Sequence, residues 1–202
     1  MIRALLFDAD GVLQLPRPGA IRAFTRLGRG RPGFVRELLA EEARTMTGKV
    51  ELREVLEAVV ARNELTTTAD ELIAVWCQID LRPQMLEVVA QARAAGLKTA
   101  LATNQQPYRG AWMQQNFPYA DYFDTLGYSF ELGVAKPDPA FFTQIVRWIG
   151  VAPSEAVMID DLPENIEAAR SAGLHGIVNA WTDDADTLRA QLGQLGVPGF
   201  SV

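Results

Sequence analysis

Short apolar runs recur along the chain without polar alternation: "IRALLF" (2–7), "LKTALAT" (97–103), "AVMID" (156–160), "GIVNA" (176–180) and a weaker "DTLGYS" (124–129). Strands covered on both faces read this way, so these runs predict a buried parallel sheet. Between them the apolar spacing switches to the helical period. In "QMLEVVAQARAAG" (84–96), Leu86, Val89, Ala90 and Ala94 share one stripe that stops at Gly96. "DPAFFTQIVRWIG" (138–150) opens on Asp138 as N-cap with Pro139 at the first helical position, and closes at Gly150. "LPENIEAARSAG" (162–173) repeats the proline start and glycine stop. Strand and helix in alternation predict a doubly wound α/β sheet.

The stretch from Pro16 to Leu81 breaks the alternation and reads as helices only. Leu52, Val55, Leu56, Val59 and Val60 form one apolar face, and Thr68 with Glu71 has capping-box spacing ahead of Leu72, Ile73, Val75 and Trp76. A helical insertion here predicts a small second domain over residues 16–81, tethered near 14–18 and 80–83, with residues 1–15 and 82–202 forming the core. The pattern shows no internal repeat and no low-complexity tract.

Composition narrows the function classes. The chain has 202 residues, 49% of them hydrophobic and 22% charged, which is enough apolar content for a real core. A net charge of -6 excludes a nucleic-acid partner, because backbone phosphates need clustered Lys and Arg. The one basic stretch, "RLGRGRPGFVR" (26–36), is short and glycine-rich and reads as a solvated loop. The single cysteine, Cys77, excludes an internal disulfide and a multi-cysteine metal site, and reads as a small core residue. The first apolar run follows Met1 directly and no run is long enough to cross a membrane, so the expected home is the cytoplasm. Nothing in the pattern chooses between monomer and homodimer.

Four runs end in polar residues. Asp8 and Asp10 follow the first, Thr103 and Asn104 end the second, Asp160 and Asp161 end "AVMID", and Lys136 lies in "KPDP" after "GYSFELGVA". Open α/β sheets bind ligands beyond the carboxyl ends of their strands, so these residues converge on one patch. Each has a plain reading too: a DxDG turn, an N-cap at Asp161, a strand-end Thr103, a solvated Lys136. An EF-hand is excluded, because Gly11 falls too early and no Glu closes a 12-residue loop. Taken together, three or four carboxylates in one pocket repel one another unless a cation joins them. Phosphoryl transfer through an aspartyl-phosphate uses all of these groups. Mg²⁺ would be held by Asp8, Asp161 and the Asp10 carbonyl; Asp8 attacks, Thr103 and Lys136 bind phosphate oxygens, and Asp10 serves as acid and base.

These residues resemble the haloacid dehalogenase superfamily of hydrolases. Its four motifs match "FDADGVL" (7–13), "LATNQ" (101–105), "KPDP" (136–139) and "VMIDDLPENIEAARSAG" (157–173), in order, over almost the whole chain. The resemblance implies a Rossmann-like core with a small helical cap, and a cytoplasmic, Mg²⁺-dependent phosphatase acting on a small phosphorylated metabolite such as a sugar phosphate. It implies nucleophile Asp8, acid/base Asp10, phosphate contacts Thr103, Asn104 and Lys136, and metal ligands Asp8, Asp10 and Asp161. Asp160 acts mainly through a metal-bound water, and Asn165, where the family is often acidic, supports the site. Dehalogenation is disfavoured, since it would leave Asp10 and Asp161 without a purpose. A phosphomutase and a phosphonatase stay open, the latter needing a cap lysine for which the insertion offers only Lys49. A receiver-type signalling module and a non-catalytic binding protein are the readings from other classes. Arg17, Gln105, Tyr108 and Arg109 lie near the expected mouth, either as leaving-group contacts or as ordinary surface.

Overall fold

The computed structural model describes residues 1–200. The chain opens on β1 (Ala4–Phe7), then leaves through β2 (Gln14–Pro16) into four helices: α1 (Ala20–Leu27), α2 (Phe34–Ala43), α3 (Leu52–Arg62) and α4 (Ala69–Trp76). It returns through β3 (Ile79–Leu81) and continues as α5 (Pro83–Ala94), β4 (Lys98–Thr103), α6 (Pro107–Asn116), α7 (Tyr119–Tyr122) and β5 (Thr125–Tyr128). The last part runs α8 (Ser129–Leu132), α9 (Pro139–Ile149), β6 (Ala156–Asp160), α10 (Pro163–Ser171), β7 (His175–Val178) and α11 (Ala185–Gln194).

The five apolar runs form one parallel sheet in the order β5-β4-β1-β6-β7. The twofold period of a strand divides their side chains between two cores. Leu5, Phe7, Leu101, Val157 and Ile159 pack on the side of α5 and α11. Ala4, Leu6, Ala100, Ala102, Ala156 and Met158 face the other way. The alanines on that face leave room for Phe141, Phe142 and Ile145 of α9, so small strand residues meet large helical ones. This is the doubly wound, Rossmann-like sheet that the alternation predicted. β1 lies at its centre between β4 and β6, where the strand order reverses and a crevice opens beyond the strand ends.

The four helices between β2 and β3 bury a core of their own, with Phe24, Phe34, Leu38, Leu52, Leu56 and Trp76 at its heart. Thr68 and Glu71 form the expected capping box at the start of α4. β2 and β3 pair antiparallel, Leu15 against Asp80, so the way out and the way back run side by side. That ribbon, α6 and α11 have no counterpart in the apolar pattern. In α6, Gly110 reads as a breaker, yet a Cβ there would lie 2.4 Å from the Phe130 ring, so the glycine serves close packing.

Candidate active site

The sheet delivers Asp8 at the end of β1, where its N–H continues the ladder to the Ile159 carbonyl at 2.9 Å. The Asp8 side chain is buried, accepts from the Ala9 N–H at 2.7 Å, and lies 2.9 Å from the Lys136 ammonium. The chain then turns at Gly11 with φ 79°, a left-handed conformation that glycine adopts without strain. A Cβ at this position would sit 2.4 Å from the Asp161 carboxylate, so the missing side chain is what lets Asp161 approach the β1 loop.

Asp160 closes β6 and is fully buried. It accepts from Lys136 Nζ at 2.6 Å, from Asn165 Nδ2 at 2.9 and 3.1 Å, and from the Leu162 N–H at 3.0 Å. Its lone pairs are therefore engaged, and Asp160 acts as a strut for Lys136. Asn165 fills the supporting place expected of it. Asp161, next along, is half-buried and faces a cavity of about 580 Å³ that Asp8, Asp10, Lys136 and Asn165 also line. One oxygen each from Asp8, Asp160 and Asp161 lies within 4.8 Å of the others.

Lys136 is positioned from β4 as well. Asn104 donates its Nδ2 to the Lys136 carbonyl at 2.8 Å and accepts the Lys136 N–H on Oδ1 at 2.9 Å. Asn104, expected as a phosphate contact, lines the cavity and has both ends of its side-chain amide on the lysine backbone. Thr103 ends β4 almost fully buried, and its hydroxyl accepts from Gln105 Nε2 at 3.3 Å.

Asp10 sits in a different environment. Arg109 grips it with Nη1 to Oδ2 at 2.5 Å and Nη2 to Oδ1 at 2.7 Å, while Gln14 and Gln105 donate to it at 3.0 and 2.7 Å. Arg109 is itself buried, and its Nε donates to the Trp76 carbonyl, the last residue of α4, at 2.9 Å. The Asp10 side chain still keeps 37% of its surface open.

The electrostatics follow the geometry. Burial pushes Asp8 above the usual carboxylate range; Asp160 and Asp10 add to the rise, and Lys136 opposes it without cancelling it. Burial and Asp160 raise Asp161 too. For Asp10, burial also favours the neutral form, but Arg109 and the amide donors outweigh it and hold the carboxyl below its ordinary value. Burial alone would lower Lys136; Asp8 and Asp160 more than compensate, so its ammonium stays charged. One buried cation thus pairs with Asp8 and Asp160 while Asp161 stands close by, one oxygen of each acid within 4.8 Å of the others, and this excess of hard oxygen donors fits a divalent ion such as Mg²⁺.

A family model for haloacid dehalogenase-like hydrolases matches residues 2–173, from the strand carrying Asp8 to the end of the helix after Asp161. The chain belongs to that family. Acyl-CoA dehydrogenase family member 10 of Mus musculus is 29% identical over 97% of this chain, which spans only 20% of that protein. A phosphorylated carbohydrates phosphatase of Thermotoga maritima is 24% identical, covering 94% of this chain and 91% of its own length. The fold is shared with a haloacid dehalogenase family enzyme of Bacteroides thetaiotaomicron solved with magnesium and inorganic phosphate. There the TM-score is 0.80, with 23% identity over 93% of this chain and 99% of that one.

Within this haloacid dehalogenase-like hydrolase, two residues near the expected mouth turn inward. Arg109 and Gln105 are not ordinary surface; both are buried and hold Asp10, and Arg109 also lines a second cavity that reaches Asp10. Tyr108 and Arg17 are surface contacts, donating to Glu51 at 2.6 Å and Asp80 at 2.8 Å. Lys49 is exposed and lines neither cavity that reaches Asp10. Among the described residues, no helix is long and apolar enough to cross a membrane.

Proposed function

We propose that this hydrolase is a phosphatase that moves the phosphoryl group of a small phosphorylated metabolite to Asp8 and then to water. The observation that carries this reading is the buried Lys136 ammonium, 2.9 Å from Asp8 and 2.6 Å from Asp160, beside a cavity that Asp10 and Asp161 also line. A nucleophilic carboxylate, a fixed cation and a second carboxylate two residues on are the groups that covalent phosphoryl transfer needs. Asp8 attacks phosphorus, so its bond to phosphorus forms while the bond to the alcohol oxygen breaks. Asp10 gives the departing oxygen its proton. Water then attacks the phosphoaspartate and passes its proton to Asp10, releasing phosphate and restoring Asp8. Lys136 and the Thr103 hydroxyl hold the non-bridging oxygens through this sequence.

Asp8, Asp161 and the Asp10 carbonyl would hold Mg²⁺, with Asp160 and Asn165 braced behind them. When bound, Mg²⁺ supplies the charge that keeps Asp8 ionised beside a phosphate dianion. The Arg109 pair keeps Asp10 ionised, as its base role requires; for its acid role Asp10 leaves the guanidinium and takes up a proton. The phosphorylated carbohydrates phosphatase of Thermotoga maritima and the magnesium and phosphate bound by the fold neighbour support the same chemistry.

Hydrolysis of an aryl phosphate with Mg²⁺, with chelator, and by Asp8→Asn tests this directly. Metal-dependent turnover should fall by about a thousandfold or more in the variant. Turnover that survives Asp8→Asn in the folded protein would exclude the covalent route.

A further inference from the structure

A second cavity, about 320 Å³, shares Asp10, Pro16 and Asn104 with the first and extends beneath α1, α2 and α4. Its walls are apolar, with Phe24, Leu39, Val75, Trp76 and Ile79 prominent. Phe24 and Trp76 meet edge to face with ring centroids 4.7 Å apart. Most polar side chains that reach this space are already committed. Asp10 and Arg109 neutralise each other, the Asn104 side-chain amide is held on the Lys136 backbone, and Gln78 adds only a neutral amide.

Glu42 is the exception. It lies on the buried side of α2 with 5% of its surface exposed, and it lines the cavity. No Lys or Arg among the described residues forms an ion pair with it; Arg109 is committed to Asp10 instead. With Asp10 and Arg109 paired to each other, the carboxyl of Glu42 is, among the described residues, the ionisable group in the cavity that has no ion-pair partner of its own. Burial pushes it up to about 7; Arg109 offsets part of the rise and Asp10 adds to it. A cationic ligand group would relieve both the burial and the repulsion.

The direction of the substrate follows from Asp10. Whatever hangs from the ester oxygen starts at the residue that protonates that oxygen, and the cavity under the helices starts there as well. A polyol would press several hydroxyls against Phe24, Leu39, Val75 and Ile79, where nothing pairs with them. A short alkyl chain suits those walls, and an ammonium at its end suits a buried carboxyl in a cavity that two aromatic rings also line.

We propose that this cavity is the leaving-group subsite and that Glu42 selects phosphate monoesters whose alcohol carries an ammonium group, that is, phosphorylated amino alcohols. The proposal rests on the phosphatase reading and narrows it away from sugar phosphates.

The test compares kcat/KM of the full chain with Mg²⁺ on an aminoalkyl phosphate, its uncharged alkyl isostere, a pentitol phosphate and an aryl phosphate. The wild type should favour the aminoalkyl ester over the uncharged one by about tenfold or more, and Glu42→Gln should bring that ratio close to one, chiefly through KM. A purely structural role for Glu42 would lower all four esters together and leave the ratio intact, which would overturn the proposal. Glu42→Asp, which keeps the charge, should retain part of the preference and serves if Glu42→Gln does not fold. Aryl phosphate turnover without an ammonium preference, or a preference for the pentitol ester, removes the subsite assignment and leaves the phosphatase standing. No turnover of any ester by folded, Mg²⁺-loaded protein removes both.

Discussion

Asp8 and Asp10 are two residues apart and electrostatically opposite. Burial and like charges raise Asp8, whereas Arg109 and two glutamines overcome burial and lower Asp10. For the proposed roles, Mg²⁺ at Asp8 would offset that rise so that the nucleophile ionises, and Asp10 has to leave Arg109 before it can carry a proton. The split predicts a measurable role for Arg109 as a positioning residue. Arg109→Ala should lower kcat by about ten- to a hundredfold, because Asp10 loses its two-pronged anchor. It should also shift the limb of the pH–rate profile that reports Asp10 to higher pH, since the group that depresses its pKa has gone. Arg109→Lys restores charge without the fork and should recover only part of kcat. An unchanged profile in Arg109→Ala would remove Asp10 from the titrating step.

At the level of elements, chemistry gathers where strands end. β4 and β6 stop on Thr103 and Asp160, Asp8 follows β1 directly, and a single turn at Gly11 sets the spacing between the β1 loop and Asp161. Gly11→Ala combines a left-handed backbone, worth about 1–2 kcal/mol, with a collision at Asp161. Mg²⁺ affinity measured by calorimetry should therefore drop more steeply than thermal stability; equal affinity would show that Asp161 is free to move. The strands and their acids were legible because apolar runs without alternation, ended by Asp or Thr, leave a local mark. Asn165, early in α10 after the paired acids, was legible only through the family resemblance. Arg109 and Glu42 left no such mark. Arg109 finds its partner 99 residues away, and a charged residue on a helix reads as solvated until its partner is known. The purpose of Gly110 in α6 is visible only once Phe130 lies against it. Asn104 was placed at the right strand end, but only the fold reveals that its side chain faces the Lys136 backbone.

For the molecule as a whole, the three acids at the crevice couple metal, protons and stability. Asp8 and Asp161 are raised in the folded state, so their charged forms are disfavoured there relative to the unfolded chain. Without metal, stability should fall as pH rises above the unfolded carboxylate range, near 4. Mg²⁺ binds the ionised forms and competes with those protons. The rise in Tm on adding Mg²⁺ should accordingly grow between about pH 5 and pH 8, and scanning calorimetry over that range checks it; a gain independent of pH would place the ion elsewhere. The β2–β3 ribbon carries a further consequence. It continues past its strands, with Arg82 N–H on the Leu13 carbonyl and Arg17 N–H on the Gln78 carbonyl, each at 2.8 Å. The ends of the helical excursion are thus held together by backbone bonds that owe nothing to the side chains between them. Insertions, deletions and wholesale exchange of the helices are then local edits to one hairpin, leaving the crevice acids in register. Lineages sharing this sheet can change what they recognise while inheriting how they react.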